Sequence, residues 1–167
     1  MKQWGIYRRV EKAVLSGECG RLSSLRWTWL SHAGEPSLLY TGVLAGILDL
    51  SRQLAGGKLE RLHIEPVNGV PACFALADFE GGIVAEIEIH ETLSSSAPDV
   101  RFLMADFSGG RITNRPLTGH HHDEGAFLAT DAGAEAIWFE PMPSVSEALE
   151  DVEIQAVIAL ALKGEVQ

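Results

Sequence analysis

Cysteine and clustered positive charge are both scarce in this sequence, and each scarcity excludes a class of protein. Only two residues are cysteine, Cys19 and Cys73, and they form no C-x-x-C pair. Two cysteines are too few for a disulfide framework and are typical of reduced thiols in the cytosol. The net charge is −10, and no basic cluster exceeds the pair Arg8–Arg9. Because nucleic acids and anionic membranes bind clustered positive charge, we expect neither as a partner.

Long apolar runs are also missing. No uninterrupted apolar stretch approaches the ~20 residues that cross a bilayer. Charged side chains at Lys2, Arg8 and Lys12 interrupt the position where a signal peptide would have its apolar core. Of all residues, 46% are hydrophobic and 22% are charged, which is an ordinary balance for a globular protein. We therefore expect residues 1–167 to form a single cytoplasmic domain.

The spacing of apolar residues changes along the chain. Helical spacing predicts helices over Tyr7–Leu15 and Leu38–Leu54, and a last helix over Ser144–Leu162 that begins with a capping box. Alternating spacing predicts strands at residues 22–30, 62–64, 74–79, 83–89, 100–107, 126–130 and 134–140. This order lacks the strand–helix–strand alternation of a parallel sheet. It predicts an α+β fold, a mostly antiparallel open β-sheet with helices packed on one face.

Three segments carry a resemblance to a known family. Residues 10–22, VEKAVLSGECGRL, place an SGE-x-G turn before a strand. Residues 42–56, GVLAGILDLSRQLAG, end a helix in DL-x-x-x-L-x-G, and residues 143–164 form a closing helix. In this order they resemble the C-terminal domain of the Gfo/Idh/MocA oxidoreductases, the family of glucose-fructose oxidoreductase and inositol dehydrogenase. The resemblance implies the dihydrodipicolinate-reductase-like fold of that domain.

Two departures from the family bear on function. Family members begin with a Rossmann domain whose glycine-rich turn binds the cofactor pyrophosphate, whereas no G-x-G-x-x-G and no such domain is found here. Family enzymes also carry Asp, then His four residues later, then Asp three further on. With Asp49 in the last position, the resemblance places the first two on Gly42 and Gly46. Glycine cannot transfer a proton, so we expect no catalytic residue, no cofactor and no activity from this chain alone.

The predicted helix face with Gly42, Gly46 and Asp49 has two interpretations. Glycines allow a neighbouring element to pack closely, which would make this a packing face. Alternatively, the two missing side chains enlarge a ligand pocket. Asp49 itself is interpreted as the partner of an N–H group or an arginine in the fold.

A second candidate site is the run His120, His121, His122 and Asp123. Imidazole and carboxylate groups suit zinc or nickel. Adjacent histidines on a loop rarely converge on one ion, however. A solvated loop without metal is therefore the preferred interpretation.

Two functions remain open. The preferred one is a non-catalytic ligand- or partner-binding module that forms a homodimer through its sheet face, since the resemblance implies that this face commonly makes the subunit contact. There Glu86, Glu88 and His90 share one side of a strand, as an acidic patch or as an ordinary water-exposed face. The alternative is a subunit of a split sugar or polyol oxidoreductase, completed by a separate Rossmann-domain protein.

Overall fold

The computed structural model describes residues 4–32, 39–93, 99–115, 125–130, 133–138 and 152–162. These ranges contain the helices α1 (Gly5–Ser16), α2 (Ala45–Ala55) and α3 (Val152–Leu162), and a π-helical segment, Leu39–Leu44, that leads directly into α2. They also contain the strands β1 (Leu22–His32), β2 (Leu59–Pro66), β3 (Ala72–Phe79), β4 (Ile83–Leu93), β5 (Val100–Phe107), β6 (Gly110–Thr113), β7 (Gly125–Thr130) and β8 (Gly133–Trp138).

All described strands belong to one sheet, in the order β2-β3-β4-β1-β5-β6-β7-β8. β1 and β4 run parallel, with Trp27 beside Ile87. The other neighbouring pairs are antiparallel. The parallel pair arises because α2 and the β2–β3 hairpin separate β1 from β4 along the chain. The predicted mostly antiparallel α+β fold is confirmed.

Alternation along the strands decides which face of the sheet is covered. Leu25, Trp27 and Trp29 of β1 are buried, and so are Ile87 and Ile89 of β4. On this face α1 contacts β5 and β6, and α2 contacts β1, β3 and β4. The residues between them face the opposite side, which no described helix covers. The prediction that the helices pack on one face is confirmed.

Glycine ends both of the first two helices, as the sequence indicates. Gly17 after α1 has φ 69° and Gly56 after α2 has φ 70°, in the left-handed region that glycine adopts without strain. Their N–H groups donate to the carbonyls of Ala13 and Arg52. After these caps the chain continues into β1 and β2, respectively. No helix within the described ranges is long and apolar enough to span a membrane.

Several boundaries differ from the sequence-based prediction. The helix predicted over Leu38–Leu54 begins as the π-helical segment instead of a regular α-helix. The short strand β6 was not predicted; it pairs with β5 across a two-residue turn. Ser144, where the last helix was predicted to start, lies outside the described residues.

Candidate functional site

The open face of the sheet carries a groove of about 450 Å³. It lies over strands β1 to β4, which are neighbours in the sheet. Alternation along each strand brings every second side chain to this face. The lining residues whose side chains alternate onto this face are Arg26, Thr28, His63, Glu65, Phe74, Leu76, Glu86 and Glu88. Arg115 also lines the groove, as do Trp27, Ala75 and Ile87, which lie between those residues in the strands and are buried.

Two apolar side chains of β3 occupy the groove. Phe74 is 45% exposed and Leu76 is 44% exposed. Each has a carboxylate neighbour on β4, Glu88 beside Phe74 and Glu86 beside Leu76. Aromatic and large apolar side chains in a surface depression are typical of positions that make contact with another molecule.

The charged groups around Phe74 and Leu76 form ion pairs with one another. The Nε of Arg26 lies 2.6 Å from Oε2 of Glu86, and this hydrogen bond raises the pKa of the arginine above its ordinary value. The Nε2 of His90 lies 3.2 Å from Oε1 of Glu88. The ring of Phe74 meets His90 edge-on, with 5.6 Å between centroids and 81° between planes. The aromatic ring, the imidazole and the carboxylate therefore form one contiguous group.

The charge of this surface is close to balanced. Two further ion pairs border the groove, Arg61 with Asp78 and Arg111 with Asp106. The groove and these pairs together hold four arginines, Arg26, Arg61, Arg111 and Arg115, and five carboxylates, Glu65, Asp78, Glu86, Glu88 and Asp106. The net charge of the whole chain is −10. Most of the excess negative charge therefore lies elsewhere on the protein.

Asp49 lies on the opposite, helix-covered side and is 5% exposed. Its Oδ1 accepts a hydrogen bond from Arg52 Nη2 at 2.8 Å, and its Oδ2 accepts one from Gln53 Nε2 at 2.6 Å. The Tyr7 hydroxyl of α1 donates to Gln53 Oε1 at 3.5 Å. Burial first, and then the charges of Glu11 and Asp49, raise the pKa of Tyr7 to about 12. Both oxygens of the Asp49 carboxylate therefore accept hydrogen bonds from side chains of the same helix.

Gly42 and Gly46 precede Asp49 along the chain, in two different kinds of helix. Gly42 lies in the π-helical segment, whereas Gly46 is buried in the first turn of α2. π-helical hydrogen bonds span five residues, so the register differs from that of a continuous α-helix. Such segments occur frequently at functional sites.

A buried polar group that the sequence analysis missed lies near the end of β4. Glu91 is 6% exposed, and its Oε2 has no hydrogen-bond partner in the described part of the chain. Burial raises the pKa of Glu91 above 4.5, its ordinary value. Burial and the charge of Glu91 raise the pKa of Cys73 to about 12, and burial and Cys73 raise the pKa of Tyr40. The signal was present, since Glu91 continues the alternation of the buried Ile87 and Ile89.

The histidine run gives no candidate metal centre that can be described. His120, His121, His122 and Asp123 lie outside the described residues. Within the described ranges, no group of three or more His, Cys, Asp or Glu side chains is arranged to hold a metal ion.

Solved structures with similar folds are dehydrogenases and other oxidoreductases. An oxidoreductase from Agrobacterium radiobacter, in complex with NAD+, L-tartaric acid and magnesium, matches with a TM-score of 0.64 at 17% identity over 96% of this chain and 50% of its own. An oxidoreductase domain protein from Kribbella flavida matches with a TM-score of 0.66 at 13% identity, over 98% of this chain and 61% of its own. A levoglucosan dehydrogenase, in complex with NADH and L-sorbose, matches with a TM-score of 0.57 at 15% identity, over 95% of this chain and 56% of its own.

The sequence alone gives no such match. No protein-family model matches it, and no curated protein matches it. The chain spans about half to three fifths of the length of the three similar structures. At these identities the similarity establishes the fold and leaves activity open. The resemblance found in the sequence is confirmed at that level: the chain has the α+β fold of the C-terminal domain of Gfo/Idh/MocA-type oxidoreductases.

Proposed function

We propose that this chain is a non-catalytic binding module whose first partner is a second copy of itself, docked open face to open face. The observation that carries the proposal is the pair Phe74 and Leu76, which are 45% and 44% exposed within a groove of about 450 Å³. Covering these side chains would remove apolar surface from water, at ~25 cal/mol per Å². A second sheet would lie ~10 Å away and fill the groove with its own side chains.

The distribution of charge favours this face over the rest of the surface. Two chains of net charge −10 repel each other on average. The open face has nearly equal numbers of arginines and carboxylates, so repulsion there is small. Arg26 and Glu86, 2.6 Å apart in one copy, could each also reach an opposite charge in the other. A two-fold axis, the commonest symmetry of soluble oligomers, would make the contact self-complementary.

We propose a non-catalytic role because this chain lacks the acid–base side chains that family enzymes carry on the corresponding helix. The resemblance places Gly42 and Gly46 at the corresponding positions, and glycine provides no group for proton transfer. Asp49, the remaining carboxylate, is engaged by Arg52 and Gln53. Because the sequence also contains no G-x-G-x-x-G turn to bind a pyrophosphate, we expect no saturable binding of NAD(H) or NADP(H) to the isolated chain at micromolar concentration in isothermal calorimetry. Such binding would contradict the non-catalytic part of the proposal.

One observation favours a second candidate, a subunit of a split sugar or polyol oxidoreductase. Two of the similar structures contain NAD+ or NADH. About two fifths to one half of each of the three structures lies outside the match. A separate nucleotide-binding protein would supply that part and the acid–base group. A partner recovered from the native cell that restores nucleotide-dependent oxidation of a sugar or polyol would support this candidate. Recovery of the chain alone, or of a partner that restores no oxidation, would favour the binding module.

The docking proposal is tested with a matched pair of leucine variants. Leu76→Asp places a charge in the groove, whereas Leu15→Asp places one at the end of α1, where Leu15 is 82% exposed. We expect sedimentation equilibrium to give a monomer for Leu76→Asp and a dimer for the parent and for Leu15→Asp. A dimer that Leu76→Asp leaves intact would show that another surface mediates assembly.

A further inference from the structure

We propose that docking through the open face is pH-dependent, and that the Glu88–His90 pair causes this dependence by favouring the dimer when His90 is protonated. The inference rests on the proposed function, because it concerns the same surface. It identifies His90 as the residue through which proton concentration acts on assembly.

The geometry ties His90 to the apolar centre of the groove. Its Nε2 lies 3.2 Å from Oε1 of Glu88, and its ring meets the ring of Phe74 edge-on at 5.6 Å. The side chains of His90 and Glu88 are 28% and 42% exposed. A partner that covers Phe74 therefore also removes water from both members of the pair.

Removal of water makes the charge state of the pair important. A carboxylate taken out of water is destabilised unless a positive charge compensates it. With His90 protonated, the pair has no net charge and can be buried. With His90 neutral, each copy brings the uncompensated charge of Glu88 into the contact. Histidine is the side chain whose ordinary titration falls between about pH 5 and pH 8.

The other groups around His90 leave Glu88 as its main charged neighbour. The cross-strand neighbours of His90 are apolar, Ala72 on β3 and Leu30 on β1. The further charged and titratable groups of the adjoining strands are Arg26 with Glu86, Arg61 with Asp78, His32 with Asp99, and Glu65 and His63 of β2 beside Phe74 and Leu76. Arg115 also lines the groove. His63 is the second imidazole beside the apolar pair, and it needs its own variant.

The experiment measures the dimer dissociation constant by sedimentation equilibrium at about pH 6 and about pH 8. For the parent chain we expect the dimer dissociation constant to be larger by about tenfold at the higher pH, which corresponds to ~1.4 kcal/mol. His90→Gln should dissociate at both pH values as readily as the parent does at the higher one. Glu88→Gln removes the carboxylate charge, so it should dimerise more tightly than the parent at about pH 8 and less tightly at about pH 6, where the protonated His90 has lost its partner. His90→Gln thus abolishes the pH dependence, whereas Glu88→Gln reverses it.

Two histidine variants are the matched controls. His63→Gln and His32→Gln should each keep most of the parent's ratio between the two pH values. A parent dimer with the same affinity at both pH values, or a ratio that His90→Gln leaves unchanged, would overturn this inference and leave the docking proposal standing. A parent chain that is monomeric at both pH values would overturn the docking proposal itself.

Discussion

The Nη2 of Arg52 lies 2.8 Å from Oδ1 of Asp49, so the carboxylate on α2 is paired within its own helix. Gln53 holds its second oxygen at 2.6 Å. Because Asp49 is buried and both its oxygens accept hydrogen bonds, its role in the described structure is to join α2 to the hydrogen-bonding group around Tyr7.

Replacement of Asp49 by alanine should lower the free energy of unfolding by about 1–3 kcal/mol, since it leaves the donors of Arg52 and Gln53 without their acceptor. Urea denaturation followed by circular dichroism measures this change. Glu11→Ala is the control, because its ion pair with Arg8 is exposed and 4.0 Å long; it should change stability by less than about 1 kcal/mol. Equal stability of Asp49→Ala and the parent would contradict a structural role.

The buried carboxyl of Glu91 predicts a pH dependence of stability with a definite sign. Burial raises its pKa in the folded state above the ordinary 4.5. The folded state therefore holds this proton more tightly than the unfolded state does. The contribution of protonated Glu91 to the free energy of unfolding is fully present below about pH 4.5. It is lost as the pH rises through the folded-state pKa of Glu91.

Glu91→Gln, which stays neutral at all pH values, isolates this contribution. The variant should gain stability relative to the parent as the pH rises from about 4.5 toward neutrality. Urea denaturation at a series of pH values measures the difference, and subtraction of the two curves removes the contribution of all other groups. A difference that is constant with pH would show that the carboxyl finds a compensating partner.

Gly46 tests whether the glycine face is packed or open. Gly46→His should give no dehydrogenase activity, because a single imidazole supplies no cofactor site. If the face is packed, overpacking should lower the free energy of unfolding by about 1–3 kcal/mol. Gly46→Ala is the smaller step, and where space exists it should stabilise a helix by about 1 kcal/mol. A histidine variant as stable as the parent in urea would favour the ligand-pocket interpretation.

Much of the fold could be predicted because local patterns are strong. The alternation that predicted residues 100–107 gave the bounds of β5 as the structure has them, Val100–Phe107. β6 was missed because four residues, Gly110–Thr113, carry too short a pattern; its pairing with β5 and β7 is decided by the sheet. The π-helical segment was missed for a related reason, since its apolar spacing resembles that of an α-helix.

The candidate site could be predicted only in part. Alternation placed Glu86, Glu88 and His90 on one face, but the contact of His90 with Phe74 depends on the register between β3 and β4. The buried position of Glu91 follows from the same alternation extended by one step. Its lack of a hydrogen-bond partner depends on the three-dimensional surroundings, which a pattern along one strand does not contain.

The most direct test of the docking of two open faces is the mass of the unmodified chain in solution. Multi-angle light scattering at high micromolar concentration and about pH 6 should give twice the chain mass of 18.1 kDa. The same measurement on Leu76→Asp should give the chain mass itself. A mass of 18.1 kDa for the unmodified chain would contradict assembly through the open face.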